Sequence, residues 1–385
     1  MAGAIERGLK GVGRWWLRRT APAATPMPSP LPTRELENIS RILVVRLDDR
    51  LGNVVLLTSL LVALKGRFSR AQLSCLLARR YWDMREFLPS ADEFIPFDRA
   101  ALARNPLGIR GLLKHIQSRH FDLVINASDD RSLSFNHLAV TAKSHGRIRV
   151  GHAHEAARPY YEIAVPLPQE DGPTRHVNDM YLDLLRAVTP IRSTTRPLLK
   201  PPRQDTGYGE RFLRERETDR PLVLIHPGGR GPKRWDPEQF AGVARALHES
   251  GEYRIGLVWG PADEDAAAVI QERVGSIVQP VGILPFPDLV SLIRAATVFV
   301  ACDSGPMHLA SAMGTATVAI FLVSDAQKYH PLGDDDVTLD AQVQDITVDS
   351  VVMAVRQAAQ NATETAAERA AIIAAHSGND RRVTS

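Results

Sequence analysis

The chain has 385 residues, of which 44% are hydrophobic and 24% charged, and its formal net charge is +3. This length suffices for two domains, and the composition is that of a globular protein with a hydrophobic core. The near-neutral charge gives no support for nucleic-acid binding. Two cysteines, Cys75 and Cys302, are too few for a disulfide framework and suggest a reducing compartment. No apolar run is long enough for a membrane-spanning helix, and the apolar core of a signal peptide is missing.

The N-terminal segment differs in composition from the rest of the chain. Residues 1–19 contain five cations and one acidic residue, and Ile5, Leu9, Val12 and Trp16 recur at helical spacing. A basic amphipathic segment with aromatic residues is typical of a helix that lies on an anionic membrane surface. A disordered basic tail is the alternative, because three glycines weaken the helix.

A proline-rich stretch follows at residues 21–32, APAATPMPSPLP. Its composition predicts an extended linker that has no core of its own. Residues 1–40 are therefore assigned to the basic segment and this linker, and a chain that begins near Arg34 is expected to keep its fold. At the other end, residues 374–385 are predicted to form a disordered tail.

From Arg41 onward, short apolar runs alternate with amphipathic helical patterns, which is typical of parallel sheets covered by helices on both faces. Residues 41–193 are predicted to form a first domain, 194–204 a proline-containing linker, and 205–346 a second domain. Residues 347–373 are predicted to form C-terminal helices. Two such domains are expected to have a central cleft between them, faced by the carboxyl ends of their strands.

The predicted strands are 42–45, 72–77, 94–97, 123–126, 222–226, 255–259, a short one near 277, 298–301 and 317–321. The predicted helices are 54–65, 106–117, 133–143, 177–188, 237–249, 264–273, 287–295 and 306–313.

The most informative segment is VFVACDSGPMHLASAMG, residues 298–314, which predicts a strand, a tight polar loop and a helix start. This geometry presents unpaired N–H groups and the positive end of the helix dipole to a phosphate. Gly305 allows the backbone to approach a ligand closely, and Pro306 suits the first turn of the helix. Asp303 and Ser304 offer helix caps or hydrogen bonds to sugar and phosphate. A capped turn without a ligand is the alternative, since such turns are common in α/β proteins.

A second loop follows the predicted strand 222–226 and combines three glycines with three cations. Glycines such as Gly229 beside cations suit an anionic ligand. Lys233 can act as a point charge on a phosphate and Arg234 as a planar fork. A solvated basic loop is the alternative.

These two loops resemble the donor-site segments of a known family, in HPGGRGPKRWDPEQFAGVARAL and ACDSGPMHLASAMGTATVAIF. The family is glycosyltransferase family 9, the bacterial ADP-heptose:lipopolysaccharide heptosyltransferases. RILVVRLDDRLGNVVLLTSLLVALK is similar to the family's opening segment, and FDLVINASDDRS and RHVNDMYLDLLRA resemble two further segments. The resemblance covers about Arg41 to Ala359. It implies an α/β protein of GT-B fold, two Rossmann-like domains with the acceptor on the first and the nucleotide sugar on the second. The helices in 347–373 are then expected to cross back to the first domain.

The resemblance also implies a set of donor-binding residues. The family places an acidic residue on the nucleotide ribose after the strand at 255–259, where Asp263 or Glu264 could serve, with a helix cap as an equal alternative. His308 lies beside the phosphate loop, and for it, as for His226, a structural role is favoured over a catalytic one. The predicted donor-binding residues are Gly229, Lys233, Arg234, Asp263, Asp303, Ser304, Gly305, Pro306 and His308. No metal or further cofactor is implied, because the two loop cations and the helix dipole can hold a diphosphate.

The first predicted strand ends in a loop that carries the question of catalysis. Inverting sugar transfer needs a carboxylate that takes the proton from the attacking hydroxyl. In the family, the residue after the glycine that corresponds to Gly52 is often an aspartate with this role, but here it is Asn53. Asp48 or Asp49 is therefore expected to supply the base, with Asp49 preferred, and Arg46 and Arg50 nearby are expected to keep these aspartates ionised. Capping of the following helix is the alternative role for the two aspartates.

The resemblance implies an inverting glycosyltransferase that moves a heptose from ADP-heptose to the lipopolysaccharide core by direct displacement, with Lys233 stabilising the leaving diphosphate. The expected partners are the nucleotide sugar, the core acceptor and, through residues 1–20, the anionic inner membrane of a cytoplasmic, peripherally bound protein. A family member that uses another nucleotide sugar is one alternative. A non-catalytic nucleotide-sugar-binding protein is another, suggested by Asn53. A Rossmann dehydrogenase is disfavoured because no G-x-G-x-x-G follows the first strand.

Two other groups of polar residues are given no role in binding. The acidic run at residues 334–336 is predicted to be a solvent-exposed loop. His152, His154 and His176 lack a spacing that suits metal ligands.

Overall fold

The computed structural model describes residues 17, 19–47, 50–99, 101, 108–128, 134–168, 172–191, 195–201, 204–215 and 219–380, with side chains as far as residue 368. Most of the predicted membrane segment, and both candidate bases Asp48 and Asp49, lie outside these residues. The chain divides into two units, Met1–Pro197 and Leu198–Ser385.

The first unit contains a six-stranded sheet in the order β3-β2-β1-β4-β5-β6, with parallel pairing throughout. Its strands are β1 (Arg41–Val45), β2 (Gln72–Ala78), β3 (Glu93–Phe97), β4 (Leu123–Asn126), β5 (Ile148–His152) and β6 (Ile163–Val165). Its described helices are α1 (Thr33–Glu37), α2 (Leu51–Leu56), α3 (Thr58–Arg67), α4 (Gly108–Gln117), α5 (Phe135–Lys143) and α6 (Val177–Arg186). Short 3-10 segments occur at Arg79–Glu86 and Arg158–Tyr160. The central strands β1 and β4 are apolar except for Arg41 and Asn126 at their ends, because helices cover both faces of a parallel sheet.

The second unit contains another six-stranded parallel sheet, in the order β12-β11-β10-β7-β8-β9. Its strands are β7 (Leu222–His226), β8 (Arg254–Val258), β9 (Val278–Gly282), β10 (Val298–Cys302), β11 (Ala316–Phe321) and β12 (Val337–Asp340). Its described helices are α7 (Tyr208–Arg214), α8 (Pro237–Glu249), α9 (Glu264–Val274), α10 (Phe286–Ala295), α11 (Gly305–Ala312), α12 (Ala326–Tyr329) and α13 (Val348–Asp380). Two 3-10 turns, Gly231–Lys233 and Gly275–Ile277, lie between them.

The two sheets share one topology. Counted from the first strand of each unit, both have the order 3-2-1-4-5-6, so that the first and fourth strands are neighbours in the middle. The order of the strands reverses between these two strands, and in open α/β sheets ligands bind at the carboxyl ends of the strands at this switch point. The topology therefore identifies two candidate positions for a site, one in each unit.

The alternation of strands and helices predicted from the sequence is confirmed, but three strands were not predicted. β5 contains Arg149, whose charge hides an otherwise apolar run, and the structure buries this side chain in an ion pair with Glu162 at 2.7 Å. β6 is only three residues long, and β12 is a short strand at the edge of the sheet. Short or partly polar strands carry too weak a pattern to be recognised by periodicity.

Several helix bounds differ from prediction. The helix expected at 54–65 is two helices, α2 and α3, and α2 begins at Leu51, so that Gly52 and Asn53 lie in its first turn rather than in the preceding loop. At the C-terminus, α13 is one helix that continues to Asp380, past the point at 374 where disorder was predicted. Its buried residues Val351, Val355 and Ala358 pack in the core of the second unit. The expected crossing of this segment to the first domain stays a prediction.

The proline-rich stretch at 21–32 contains no helix or strand, and it is not a linker without packing. Three of its backbone N–H groups donate to carbonyls of the first unit, Ala24 to Pro159 at 2.8 Å, Met27 to Glu162 at 2.9 Å and Leu31 to Val188 at 2.9 Å. Just before it, Leu17 is fully buried in a cluster with Leu138, Tyr160 and Tyr161. We call residues 17–31 the N-terminal strap. A chain that begins near Arg34 would lose these contacts, and the expectation that it keeps its fold stays a prediction.

The acidic run at 334–336 is also less exposed than predicted. Asp336 accepts hydrogen bonds from the Ser311 hydroxyl at 2.6 Å and from the Gly333 and Thr317 N–H groups at 2.6 and 3.0 Å. Burial raises the pKa of the Asp336 carboxyl, opposed by these hydrogen bonds. This side chain therefore ties α11 to the start of β11, while Asp334 alone in the run is exposed.

Candidate functional site

The switch point of the second unit lies where β7 and β10 run side by side, with Ala301 paired to His226. The loop after β7 contains the 3-10 turn Gly231–Lys233, which folds back towards the end of the strand. A Cβ atom on Gly229 would lie 2.7 Å from the Arg234 Cα atom, so that only glycine permits this close approach. The turn thereby brings the predicted cation Lys233 over the carboxyl ends of the central strands.

Lys233 meets the loop after β10. Its ammonium lies 2.5 Å from a carboxylate oxygen of Asp303, and also 5.9 Å from the centre of the Tyr329 ring. The Asp303 side chain is only 9% exposed, whereas that of Lys233 is 38% exposed. The structure therefore joins two residues that the sequence predicted separately, and it leaves the ammonium accessible to a second anion.

The start of α11 provides polar groups beside this ion pair. The helix begins at Gly305 with Pro306 in its first turn, and Ser304 is the N-cap residue. The Ser304 side chain makes no cap hydrogen bond, and its buried hydroxyl has no partner among the described residues. A buried hydroxyl without a partner costs free energy that a ligand oxygen can recover. His308, buried one turn into the helix, is consistent with the structural role that was favoured for it.

Arg234 makes contacts that differ from the predicted contact with a phosphate. Its guanidinium donates to the carbonyls of Gly229 and Ala262 at 3.3 and 2.9 Å and to the carboxylates of Asp263 and Asp265 at 3.1 and 2.8 Å. The planar fork is thus largely occupied by acceptors of the protein itself. These bonds link the loop after β7 to the loop after β8 and hold Asp263 in place.

Asp263, the predicted ribose-binding residue, lies against the end of β7. A Cβ atom on Gly228 would be 2.5 Å from an Asp263 carboxylate oxygen and 2.3 Å from the His226 ring. Burial lowers the pKa of His226, although Asp263 opposes this effect, and the imidazole accepts the Gly228 N–H at 3.2 Å. A neutral histidine that accepts a backbone hydrogen bond has the structural role predicted for it.

The switch point of the first unit holds Arg46, which follows β1 and is only 1% exposed. Its guanidinium donates to the carbonyl of Ala127, which follows β4, and lies 5.4 Å from the centre of the Tyr181 ring. A charged group so deeply buried needs hydrogen bonds in compensation. Arg46 is therefore part of the framework of this loop.

The same loop is held by a histidine that the sequence analysis did not single out. The Leu47 N–H donates to His137 Nε2 at 2.9 Å, and His137 Nδ1 lies 2.7 Å from the Ser134 hydroxyl. Burial and the charge of Arg46 lower the pKa of His137 well below its usual value, so that the ring is neutral. Its only signal in the sequence is a polar residue inside an apolar helical pattern. His137 fixes the backbone immediately before the two candidate bases.

The histidines and acidic residues form no metal site in the described part of the chain, where no three His, Cys, Asp or Glu side chains converge. His176 instead caps α6 by accepting the Asn178 N–H at 3.0 Å. None of the described helices combines the length and the apolar character that a bilayer span requires.

Two six-stranded parallel sheets covered by helices, each with the strand order 3-2-1-4-5-6, have the architecture of the GT-B fold. The chain belongs to glycosyltransferase family 9 (heptosyltransferase), whose family model matches residues 109–351. The predicted family and fold class are therefore confirmed.

Individual relatives agree with this assignment. The chain is 26% identical over 298 residues to lipopolysaccharide heptosyltransferase 3 of Escherichia coli. The match covers 73% of this chain and 83% of that protein. The crystal structure of the glycosyl transferase family 9 from Veillonella parvula DSM 2008 matches with a TM-score of 0.72 and 22% identity, over 83% of this chain and 97% of that one. The structure of E. coli ADP-heptose lps heptosyltransferase II matches with a TM-score of 0.68 and 20% identity, over 83% and 98%. At these identities the two structures show the fold alone.

Proposed function

We propose that this glycosyltransferase moves a heptose from ADP-heptose to the lipopolysaccharide core. The observation that carries the proposal is the accessible Lys233 ammonium, held by Asp303 next to the unpartnered Ser304 hydroxyl at the start of α11. An ammonium, a hydroxyl and helix N–H groups suit the phosphates of a nucleoside diphosphate. The heptose, the ADP and the lipopolysaccharide acceptor are proposed by analogy with the similar heptosyltransferases, whose names include them.

The donor is proposed to bind to the second unit. Lys233 and the N–H groups at the start of α11, such as that of Gly305, stabilise the negative charge that grows on the diphosphate as the sugar leaves, and Pro306, which has no N–H group, favours the first turn of the helix. Because these groups supply the positive charge, the proposed mechanism includes no metal ion. Asp263, held by Arg234, accepts hydrogen bonds from the ribose hydroxyls. The close packing at Gly229 keeps the turn that contains Lys233 against the end of the strand. In this proposal Arg234 holds Asp263 in position and does not bind the phosphates itself.

The acceptor is proposed to bind to the first unit, where Asp49 takes the proton from the attacking hydroxyl. Asp48 is the alternative base. Both aspartates follow a backbone position that His137 and Arg46 hold. Asn53 lies in the first turn of α2 and cannot replace them as a base. Direct attack on the anomeric carbon then inverts its configuration.

The experiment that tests the proposal is single-turnover transfer with ADP-heptose, UDP-glucose and GDP-mannose, each with a heptose-acceptor core oligosaccharide. We expect ADP release and a product heavier by one heptose, with an inverted anomeric linkage, and unchanged rates in EDTA. Transfer from UDP-glucose or GDP-mannose, and not from ADP-heptose, would show that the enzyme transfers a sugar other than heptose. Binding of ADP without turnover of any donor would favour the non-catalytic alternative that Asn53 suggests.

We further propose that the protein is cytoplasmic and binds the inner membrane peripherally through residues 1–20. The cations and aromatic residues of this segment carry the proposal. Because the N-terminal strap is packed on the first unit, the truncated variant should begin at Leu17 and not near Arg34. We expect the full chain to sediment with anionic vesicles at low salt and the truncated chain to stay in the supernatant. Equal sedimentation of the two proteins, with equal thermal stability, would contradict this proposal.

A further inference from the structure

The chain that leaves β11 emerges beside the ion pair of the candidate site. Asp303 donates its N–H to the carbonyl of Ile320 at 3.0 Å, so that the pairing of β10 with β11 continues as far as Asp303. The segment 322–330 follows β11 and contains the short helix α12. The local sequence of this segment has no pattern that indicates a role, although the strands β10 and β11, which precede the two loops, are neighbours.

We propose that the segment from Ser324 to Tyr329 forms a further side of the donor site, in which the Tyr329 ring positions Lys233 and the Ser324 hydroxyl binds an oxygen of the sugar diphosphate. This inference rests on the proposed function, because it assumes that a nucleoside diphosphate occupies the site.

The ring of Tyr329 contacts two lysines. The Lys233 ammonium lies 5.9 Å from its centre and the Lys328 ammonium 5.8 Å from its centre. A cation over an aromatic face is attracted by the negative face of the ring. Lys233 is a long side chain that loses several rotamers when it is fixed, and the ring together with Asp303 restricts it to the position beside α11. Tyr329 is therefore a positioning residue, which acts on the donor through Lys233.

The backbone of α12 fixes the direction of this ring. The Asp325 side chain accepts the Lys328 N–H at 3.2 Å and caps the helix, and Lys328 itself is only 4% exposed. Capping and burial hold the last turn of the segment, in which Tyr329 lies half-buried. The ring is thus carried by a capped helical turn.

Ser324 supplies the second observation. Its hydroxyl is buried and has no hydrogen-bond partner within the described residues, as is also true of Ser304 on the neighbouring loop. Two unpartnered hydroxyls therefore follow two adjacent strands at the edge of the sheet where α11 begins. Phosphate and sugar oxygens accept hydrogen bonds from such donors, and binding would recover the cost of leaving them unpaired.

The test is calorimetric titration of the full-length protein with ADP, UDP and GDP, followed by the same titration of variants with whichever diphosphate binds. We expect Tyr329→Leu to weaken binding about 3- to 10-fold, since the cation–π contact is lost, and Tyr329→Phe to bind as the parent does. If Tyr329 acts through Lys233, Tyr329→Leu has no further effect in a Lys233→Ala background. Ser324→Ala is expected to weaken binding about 3- to 10-fold in either background.

A matched control exists in the same unit. Arg211 lies 5.9 Å from the ring of Tyr208 in α7, so that Tyr208→Leu removes the same kind of contact elsewhere. This variant should bind the diphosphate with the affinity of the parent. Tyr329→Met replaces the leucine variant if the latter unfolds on thermal melting.

The outcomes separate the two proposals. A parent protein that binds none of the three diphosphates would overturn the proposed function and this inference with it. A parent that binds, with unchanged affinity in both Tyr329→Leu and Ser324→Ala, would overturn this inference alone. Equal losses for Tyr329→Leu with and without Lys233 would show that the ring does not act through that ammonium, and would overturn its role as a positioning residue.

Discussion

At the centre of each sheet, a cation that follows the first strand of the unit reaches a group that follows the fourth strand. In the first unit, Arg46 donates to the carbonyl of Ala127 and is 1% exposed. In the second unit, Lys233 pairs with Asp303 and its side chain is 38% exposed. The topology is the same, yet one cation is enclosed by the protein and the other remains open to an anion. The same topology thus places a cation-bearing loop at the switch point of each unit. The difference in burial leaves only Lys233, and not Arg46, accessible to a ligand.

The comparison predicts that the first loop contributes proton transfer and not donor binding. Asp49→Asn should lower the transfer rate roughly 10²- to 10⁴-fold, the usual contribution of a general base, and leave the affinity for ADP unchanged. The measurement is single-turnover transfer at saturating donor across pH, with Asp48→Asn as the matched neighbour. If both variants transfer at the parental rate, neither aspartate is the base. Asn53→Asp in the Asp49→Asn background tests whether a carboxylate from the first turn of α2 restores the rate.

For the enclosed cation, the comparison predicts a loss of stability. Arg46→Ala removes a large buried side chain and leaves the Ala127 carbonyl without its donor, so that we expect the free energy of unfolding to fall by about 3–5 kcal/mol. Urea unfolding measures this change. Arg70→Met, at an exposed position, should change the same quantity by no more than about 0.5 kcal/mol. A small effect of Arg46→Ala would mean that the first switch point is as open as the second.

For the accessible cation, the comparison predicts a loss of binding with little loss of stability. Lys233→Ala should weaken ADP binding by about 1.5–3 kcal/mol, or roughly 10- to 150-fold, because a charge-assisted contact to phosphate is lost. Its unfolding free energy should fall by about 1–2 kcal/mol, less than in Arg46→Ala, because the ammonium is 38% exposed although the Asp303 carboxylate, at 9% exposed, loses a partner. Arg230→Ala removes an exposed cation from the same loop and serves as the control in calorimetry. Unchanged ADP affinity in Lys233→Ala would remove this residue from the donor site.

The smallest expected effect concerns acidification of the first unit. The pKa of His137 in the folded protein lies well below its usual value of 6.5, so that the unfolded chain binds the proton more readily. The contribution of His137 to the free energy of unfolding is therefore complete above pH 6.5 and is lost as the pH falls towards the lowered pKa. The free energy of unfolding decreases over this range by no more than about 1.4 kcal/mol per pH unit. The stability gap between the parent and His137→Gln should narrow between pH 7 and pH 5 in urea unfolding. A gap independent of pH would show that His137 is not buried in its neutral form.

The sequence predicted individual residues of the candidate site better than the contacts between them. Lys233 and Asp303 were each recognisable, because a glycine-rich basic loop and a strand–loop–helix motif have local signatures. The contacts of Arg234 were not, since its acceptors Asp263 and Asp265 follow the next strand, at the N-cap and in the first turn of α9. Tyr329 has no local signal at all, because its ring becomes relevant only when β10 and β11 are paired.

Similar limits applied to the fold. Apolar runs predicted the central strands, whereas β5 was hidden by Arg149, whose partner Glu162 lies beyond the strand. The N-terminal strap was interpreted as a free linker, since proline-rich composition predicts an extended chain but says nothing of the surface on which it lies. Charge and proline content describe a segment in isolation, and packing partners far along the chain change the result.

The N-terminal strap limits the distance to which residues 1–16 can extend from the first unit. A 16-residue segment that starts from the buried Leu17 extends at most about 55 Å from that point, and a strap free of the first unit would add about 50 Å to this range. If the segment binds a membrane, the first unit is then confined to a thin layer above the lipid, and the local concentration of membrane-bound acceptor around it rises accordingly. The hydrogen bonds of Ala24, Met27 and Leu31 would thus act on the encounter rate with the acceptor without any contact to it.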